Sequence, residues 1–192
     1  MAFYDISNSE RIAMTNTAIA ARQTLTERWR ALDRTEADPW SERAAQAARL
    51  LAGLKTIVDF GCGTMTLERC LVKDVVYRPV DVVARDQRTI VCDFNTEPLP
   101  NVDADGAACL GVIEYLFDVR TFLTRLAAFY PVAAVSYCVA SKDGAVDARR
   151  ANAWVNDLTR PEIEALFSDV GFKIQCSVDV GAGQILWLLR SA

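Results

Sequence analysis

The sequence predicts an α/β protein built on a mostly parallel sheet that ends in a C-terminal antiparallel hairpin. Three observations carry this expectation. From Thr56 to Val139, short β-branched runs alternate with helix-periodic stretches, the pattern of right-handed βαβ units. The first run, Thr56-Ile-Val-Asp-Phe60, passes directly into Gly61-Cys-Gly63, a glycine pair suited to a sharp turn out of a buried strand. The last two runs, 172–180 and 184–190, are joined by Gly181-Ala-Gly183, which reads as a hairpin turn.

The elements follow in order. Met14, Ala18, Ala21, Leu25, Trp29 and Leu32 recur at steps of three and four, which predicts one amphipathic helix over 9–34. Asp38-Pro39, an acid at the cap and a proline at the first helical position, starts a second helix that Gly53 ends. These helices, in 1–53, precede an α/β core over 54–192 within one domain. Trp29 and Trp40 leave this section two readings: a cap over a substrate, or helices packed on the sheet or lying across its mouth. After the glycine turn come a helix over 64–73 and a strand over 75–81 that ends on Asp81. A third strand, 89–93, follows too closely for a full helix to intervene. Then come a strand over 106–112, a helix over 118–130 with Val119, Phe122, Leu123, Leu126 and Tyr130 on one face, and a strand over 132–139. Residues 141–156 are rich in charge and read as a long surface excursion. Thr159 and Glu162 form a capping box, with Pro161 in the first turn. The helix they open buries Ile163, Leu166, Phe167 and Val170 and stops at Gly171.

Composition narrows the function classes. A chain of 192 residues can bury a sizeable core, and although 52% of it is hydrophobic, charges interrupt every apolar run before membrane-spanning length. The first residues carry no basic-then-apolar signal, so a cytoplasmic location and no membrane partner are expected. A net charge of −4 and a pI near 4.9 argue against nucleic acid as the main partner. The six cysteines include no Cys-x-x-Cys pair and read as reduced. The absence of histidine removes the commonest general base, the usual zinc ligand and the Ser-His and Cys-His hydrolase arrangements. Oligomeric state is left open.

The glycine turn carries the chemistry. Its dinucleotide form has a third glycine, to seat a pyrophosphate, where this chain has Thr66. Nicotinamide and flavin dinucleotides are therefore not expected. Asp81 follows Asp59 at about the interval at which doubly wound folds place the acid that accepts from both ribose hydroxyls. The alternative for Asp81 is a strand-end acid facing solvent.

Asp59-Phe-Gly-Cys-Gly63 resembles motif I of the class I S-adenosylmethionine-dependent methyltransferases, whose Rossmann-like fold also closes a parallel sheet with an antiparallel hairpin. The resemblance covers 54–138, and 158–190 by architecture. It implies a cofactor site made of Asp59, Gly61, Cys62, Gly63, Asp81, Val82, Asp93, Phe94 and Gly111. In that site Asp59 fixes the loop and reaches the cofactor's ammonium, Asp93 reads the adenine amino group, and Phe94 forms a wall. A capped turn is the other reading of Asp93. Leu110-Gly-Val-Ile-Glu-Tyr-Leu116 resembles the family's segment at the reacting methyl, with Tyr115 where histidine is frequent, and Met65 stands where motif I commonly has glycine. Residues 92–100 and Asn156-Asp-Leu-Thr159 look most like small bacterial enzymes of the MetW-like or polysaccharide-cluster kind.

The resemblance implies methyl transfer from S-adenosylmethionine to a small-molecule acceptor, a sugar, amine or acid, with no metal. A hydroxyl acceptor needs a base within hydrogen-bond reach. Without histidine the candidate catalytic residues are Glu114, Tyr115 and Tyr137, with Asp118 beside them, and each also has a structural reading. The rival function is a non-catalytic adenosine-ligand binding protein that acts through a protein partner.

Overall fold

The computed structural model describes residues 3–32, 40–141 and 144–191. Its centre is a seven-stranded sheet in the order β3-β2-β1-β4-β5-β7-β6. The strands are β1 (Thr56–Phe60), β2 (Val76–Asp81), β3 (Ile90–Val91), β4 (Gly106–Leu110), β5 (Val132–Cys138), β6 (Phe172–Asp179) and β7 (Gln184–Ser191). β1 to β5 pair in parallel, while β7 runs antiparallel to both β5 and β6. The expected architecture is therefore present, hairpin included.

Strand alternation divides the interior into two cores. Val58, Phe60, Ala107, Cys109, Ala133, Val135, Trp187 and Leu189 point to one face, where α5 (Val119–Phe129) and α7 (Arg160–Asp169) bury Phe122, Leu126, Ile163 and Phe167. Ile57, Ala108, Leu110, Ala134 and Leu186 point to the other, beneath Ala47 and Leu51 at α3 (Ser41–Leu50) and Leu67 of α4 (Thr66–Cys70). The chain leaves β1 toward β2 on one side and returns through β4 on the other. The carboxyl ends of β1 and β4 thus flank the switch point where open α/β sheets bind ligands.

Several boundaries differ from expectation. The stripe over 9–34 is two helices, α1 (Asn8–Ala21) and α2 (Thr26–Arg30), because Arg22 turns left-handed at φ 49° and caps α1. The break lets the Thr24 hydroxyl donate to Asp93 Oδ1 at 2.8 Å. Asp38 and Pro39, the expected start of the next helix, lie outside the described residues; α3 begins at Ser41. The third strand is only two residues long, since Asp93 already starts a turn, its carbonyl accepting from Glu97 N. Among its described residues, the excursion over 141–156 is exposed only at its start, at 141 and 144–148: α6 (Val146–Arg150) packs against α1, and Arg149 and Arg150 are each only 9% exposed. Charge in the sequence had pointed outward, but Asp157 pairs with both guanidinium groups, at 2.9 and 2.5 Å.

Candidate functional site

A cavity of about 380 Å³ opens at the carboxyl ends of the parallel strands. Its floor is the strand-end residues and its roof comes from α2, α3 and the segment after α6. Asp59, Gly61, Cys62, Gly63, Asp81, Val82, Asp93, Phe94 and Gly111 all line it, as do Glu114 and Tyr115. The expected cofactor set therefore converges on one space.

The loop geometry explains the residue types. Gly61 has φ +75°, and a Cβ there would sit 2.2 Å from Val112 Cγ2, so the turn fits only glycine. Gly61 and Cys62 donate to the Val80 carbonyl, which locks the turn onto β2. Met65 is left-handed as well, at φ 58°, which is why glycine suits this position; its side chain is buried in the α3/α4 core.

Each acid is held differently. Asp59 is buried, and its Oδ2 accepts from the Tyr77 hydroxyl at 2.6 Å. Its Oδ1 is buried with no hydrogen-bond partner, in a residue that lines the cavity. Burial pushes this carboxyl up to about 7, against the lowering effect of the Tyr77 bond. Asp81 is equally buried. Its Oδ2 accepts from Gly63 N at 2.8 Å and its Oδ1 from Val83 N at 2.9 Å, with Arg85 Nη2 at 3.4 Å. A carboxylate oxygen has two acceptor directions, so Asp81 Oδ2 keeps capacity for one hydroxyl donor, and a second would have to displace the long Arg85 contact on Oδ1, while the carboxylate ties the glycine turn to β2. Asp93 does what both of its readings require: it lines the cavity, and its Oδ1 accepts from Thr24 Oγ1 and Asn95 N.

The end of β4 forms the other half. Glu114 is 1% exposed in the 3-10 turn Ile113–Tyr115, and its Oε1 accepts from Cys138 N at 2.9 Å. Its Oε2 is buried without a partner. Burial raises the Glu114 pKa, while its backbone bonds and the nearby Arg43 oppose the shift. The Tyr115 hydroxyl accepts from Trp154 Nε1 at 3.1 Å, and burial raises its pKa, so at neutral pH it is a phenol and no base. Tyr137 lies elsewhere. It is fully buried outside the cavity walls, and its hydroxyl is engaged by Asn156 Oδ1, Arg149 Nη2 and Leu158 N. The expectation of a catalytic Tyr137 is corrected on that geometry: the next residue, Cys138, faces the cavity. Asp118 is the N-cap of α5, accepting from Thr121 N at 2.9 Å, and does not line the cavity.

Sequence reasoning missed Arg43 and Trp154. Arg43 enters from α3 above Gly111, so close that a Cβ on Gly111 would meet Nη1 at 2.5 Å. No local motif announces it, because its relation to Gly111 is purely spatial. Trp154 was hidden in the supposed surface excursion; three of the four tryptophans, Trp29, Trp40 and Trp154, line this one cavity. Among the described residues no cluster of His, Cys, Asp and Glu could hold a metal ion, and no helix is long and apolar enough to cross a membrane.

No family model and no curated protein matches this sequence. Solved structures do. Human N-acetylserotonin methyltransferase in complex with SAM superposes with a TM-score of 0.60 at 18% identity, over 97% of this chain and 57% of that one. CalO1, a methyltransferase in calicheamicin biosynthesis in its SAH-bound form, gives 0.62 at 17% identity, over 100% of this chain and 64% of that one. Burkholderia thailandensis 1,6-didemethyltoxoflavin-N1-methyltransferase, with bound 1,6-didemethyltoxoflavin and S-adenosylhomocysteine, gives 0.64 at 17% identity over 94% and 87%. This chain thus spans less than two thirds of the first two. At such identities the likeness is one of architecture, and the chain has the Rossmann-like fold of the S-adenosylmethionine-dependent methyltransferases.

Proposed function

We propose that this chain binds S-adenosylmethionine in the cavity and transfers its methyl group to a small-molecule acceptor. The observation that carries the reading is the buried, unpartnered Oδ1 of Asp59 at the cavity wall, beside a glycine turn in which Gly61 has no room for a side chain. An acceptor atom left without a donor there costs about 1–3 kcal/mol, which a ligand ammonium would recover. Arg43, a cation in the same space, suits the ligand's carboxylate. Asp81 suits the ribose hydroxyls, and Phe94, set edge-on to Phe60 and Phe122, suits the adenine. The cofactor supplies an activated methyl on a sulfonium.

The protein's part is to hold the acceptor in line and exclude water, which can account for most of the rate. Glu114 Oε2 is positioned to take the acceptor's proton. That free carboxylate oxygen also favours an enzyme over a purely binding role. Kinship with the MetW-like or polysaccharide-cluster enzymes rests on the 92–100 stretch.

Thermal melting tests the reading. S-adenosylhomocysteine at a hundred times its dissociation constant should stabilise the fold by about 2.7 kcal/mol. For a chain of this length that is a rise of roughly 5–10 °C. NAD should give none, and a shift with NAD alone would refute the proposal.

A further inference from the structure

The acceptor end of the cavity has an unusual wall. Trp29, Tyr115 and Trp154 face it, whereas the Trp40 ring lies over the glycine turn, 4.0 Å from where a Cβ on Gly63 would sit, and Trp187 is in the sheet core. Three of these rings are backed by two buried cations. The Arg28 guanidinium lies 4.3 Å from the Trp29 centroid and 4.8 Å from that of Tyr115, and the Arg149 guanidinium lies 4.8 Å from Trp154. A ring already facing one cation binds a second less well, and Arg43 adds positive charge within the cavity. The wall therefore disfavours a quaternary or protonated amine.

Several polar groups around this wall are engaged with one another, although Arg43 Nε is a buried donor without a hydrogen-bond partner. Trp154 Nε1 donates to Tyr115, Thr24 to Asp93, and Asn95 Nδ2 to Thr24 and the Tyr115 carbonyl. Asn156 Nδ2 serves the carbonyls of Ile113 and Leu116. A sugar would bury several hydroxyls here without partners, at about 1–3 kcal/mol each. One acceptor atom on this side, Glu114 Oε2, is buried without a hydrogen-bond partner.

Resting on the methyltransferase reading, we propose that the acceptor is an uncharged planar aromatic molecule carrying a ring hydroxyl, held between Trp29 and Trp154 with its oxygen toward Glu114. The hydroxyl proton passes to Glu114 Oε2 as the acceptor oxygen bonds the methyl carbon. The carbon–sulfur bond breaks and its electron pair stays on sulfur, giving an aryl methyl ether and a neutral thioether. The proton then leaves to solvent. A phenol, with a pKa of about 10, is within reach of a buried carboxylate, whereas an aliphatic hydroxyl is far more basic once ionised.

Calorimetry on the protein saturated with S-adenosylhomocysteine tests this, with phenol, 1-naphthol and 2-anthrol as probes. Phenyltrimethylammonium and methyl glucoside serve as cationic and sugar controls. At least one hydroxyarene should bind more tightly than both controls. Trp154→Leu and Trp29→Leu should each weaken it about tenfold while leaving S-adenosylhomocysteine affinity within about twofold, circular dichroism confirming that both variants fold. With the best probe, Glu114→Gln should slow methyl transfer from S-adenosylmethionine by about a hundredfold or more at unchanged probe affinity. Tighter binding of either control, no hydroxyarene binding, or unchanged affinity in both tryptophan variants would overturn the inference. If S-adenosylhomocysteine itself does not bind, the methyltransferase reading fails instead, and the same probes without it decide whether the aromatic site exists.

Discussion

Asp59, in the cofactor-binding role proposed for it, would trade stability against ligand recognition. Its carboxyl is raised from 3.8 to about 7, chiefly by burial, so the folded state holds the proton more tightly than the unfolded chain does. The sign follows from linkage: the stabilising effect of that proton is complete below pH ~4 and is lost as pH rises toward ~7. A shift of about three units corresponds to at most ~4 kcal/mol of penalty above neutrality. The ionised form is nevertheless the one that can hold an ammonium. We therefore expect S-adenosylhomocysteine affinity to fall by up to tenfold per pH unit below ~7. Asp59→Asn should bind weakly at all pH values, yet be more stable than the wild type at pH 8 and keep only a minor part of that advantage at pH 5. Urea unfolding at the two pH values, with calorimetry of ligand binding, checks both halves. Equal pH dependence in the two proteins would show that Asp59 is not the titrating group.

At the scale of elements, α2 is fastened to the strand-end floor of the cavity by few bonds. Arg85 is the chief fastener: its Nη1 donates to the Trp29 carbonyl at 3.0 Å, and its Nη2 reaches Asp81 at 3.4 Å with both side chains under a tenth exposed. One guanidinium thus joins the end of β2 to α2. Removing it would leave the Asp81 carboxylate with two backbone donors but no counter-charge, and α2 without its tie. Arg85→Met should increase amide hydrogen exchange over 26–32 several-fold, and weaken S-adenosylhomocysteine about tenfold through the altered Asp81. Exchange confined to its wild-type rate would mean that α2 is held by the aromatic packing of Trp29 on Tyr115 alone.

For the whole molecule, what sequence could reveal follows how local the causes are. The sheet, the hairpin and the floor from Asp59 to Gly111 rest on strand patterning and on a glycine turn whose chemistry is contiguous, and these were legible. The roof was not, because its causes lie between distant segments: Thr15 Oγ1 donates to the Arg150 carbonyl at 2.8 Å, and Val155 N to that of Glu114 at 2.8 Å. Asp157 turns a charged, exposed-looking stretch inward by pairing with Arg149 and Arg150 at once, which places Trp154 in the cavity. Floor and roof should then be separable by mutation. Asp157→Ala leaves two buried guanidinium groups short of a partner, and its largest effect should be local, on 146–158 and on the Tyr115 contact of Trp154. We expect this variant to keep the thermal stabilisation by S-adenosylhomocysteine to within about 1 kcal/mol, since the strand-end acids are untouched. Its affinity for an acceptor that stacks on Trp154 should fall tenfold or more. Melting with and without the cofactor product, paired with acceptor titration, separates the two effects. Equal loss of both would show that the roof and floor fold as one cooperative unit, with Asp157 supporting the entire cavity and not just its acceptor half.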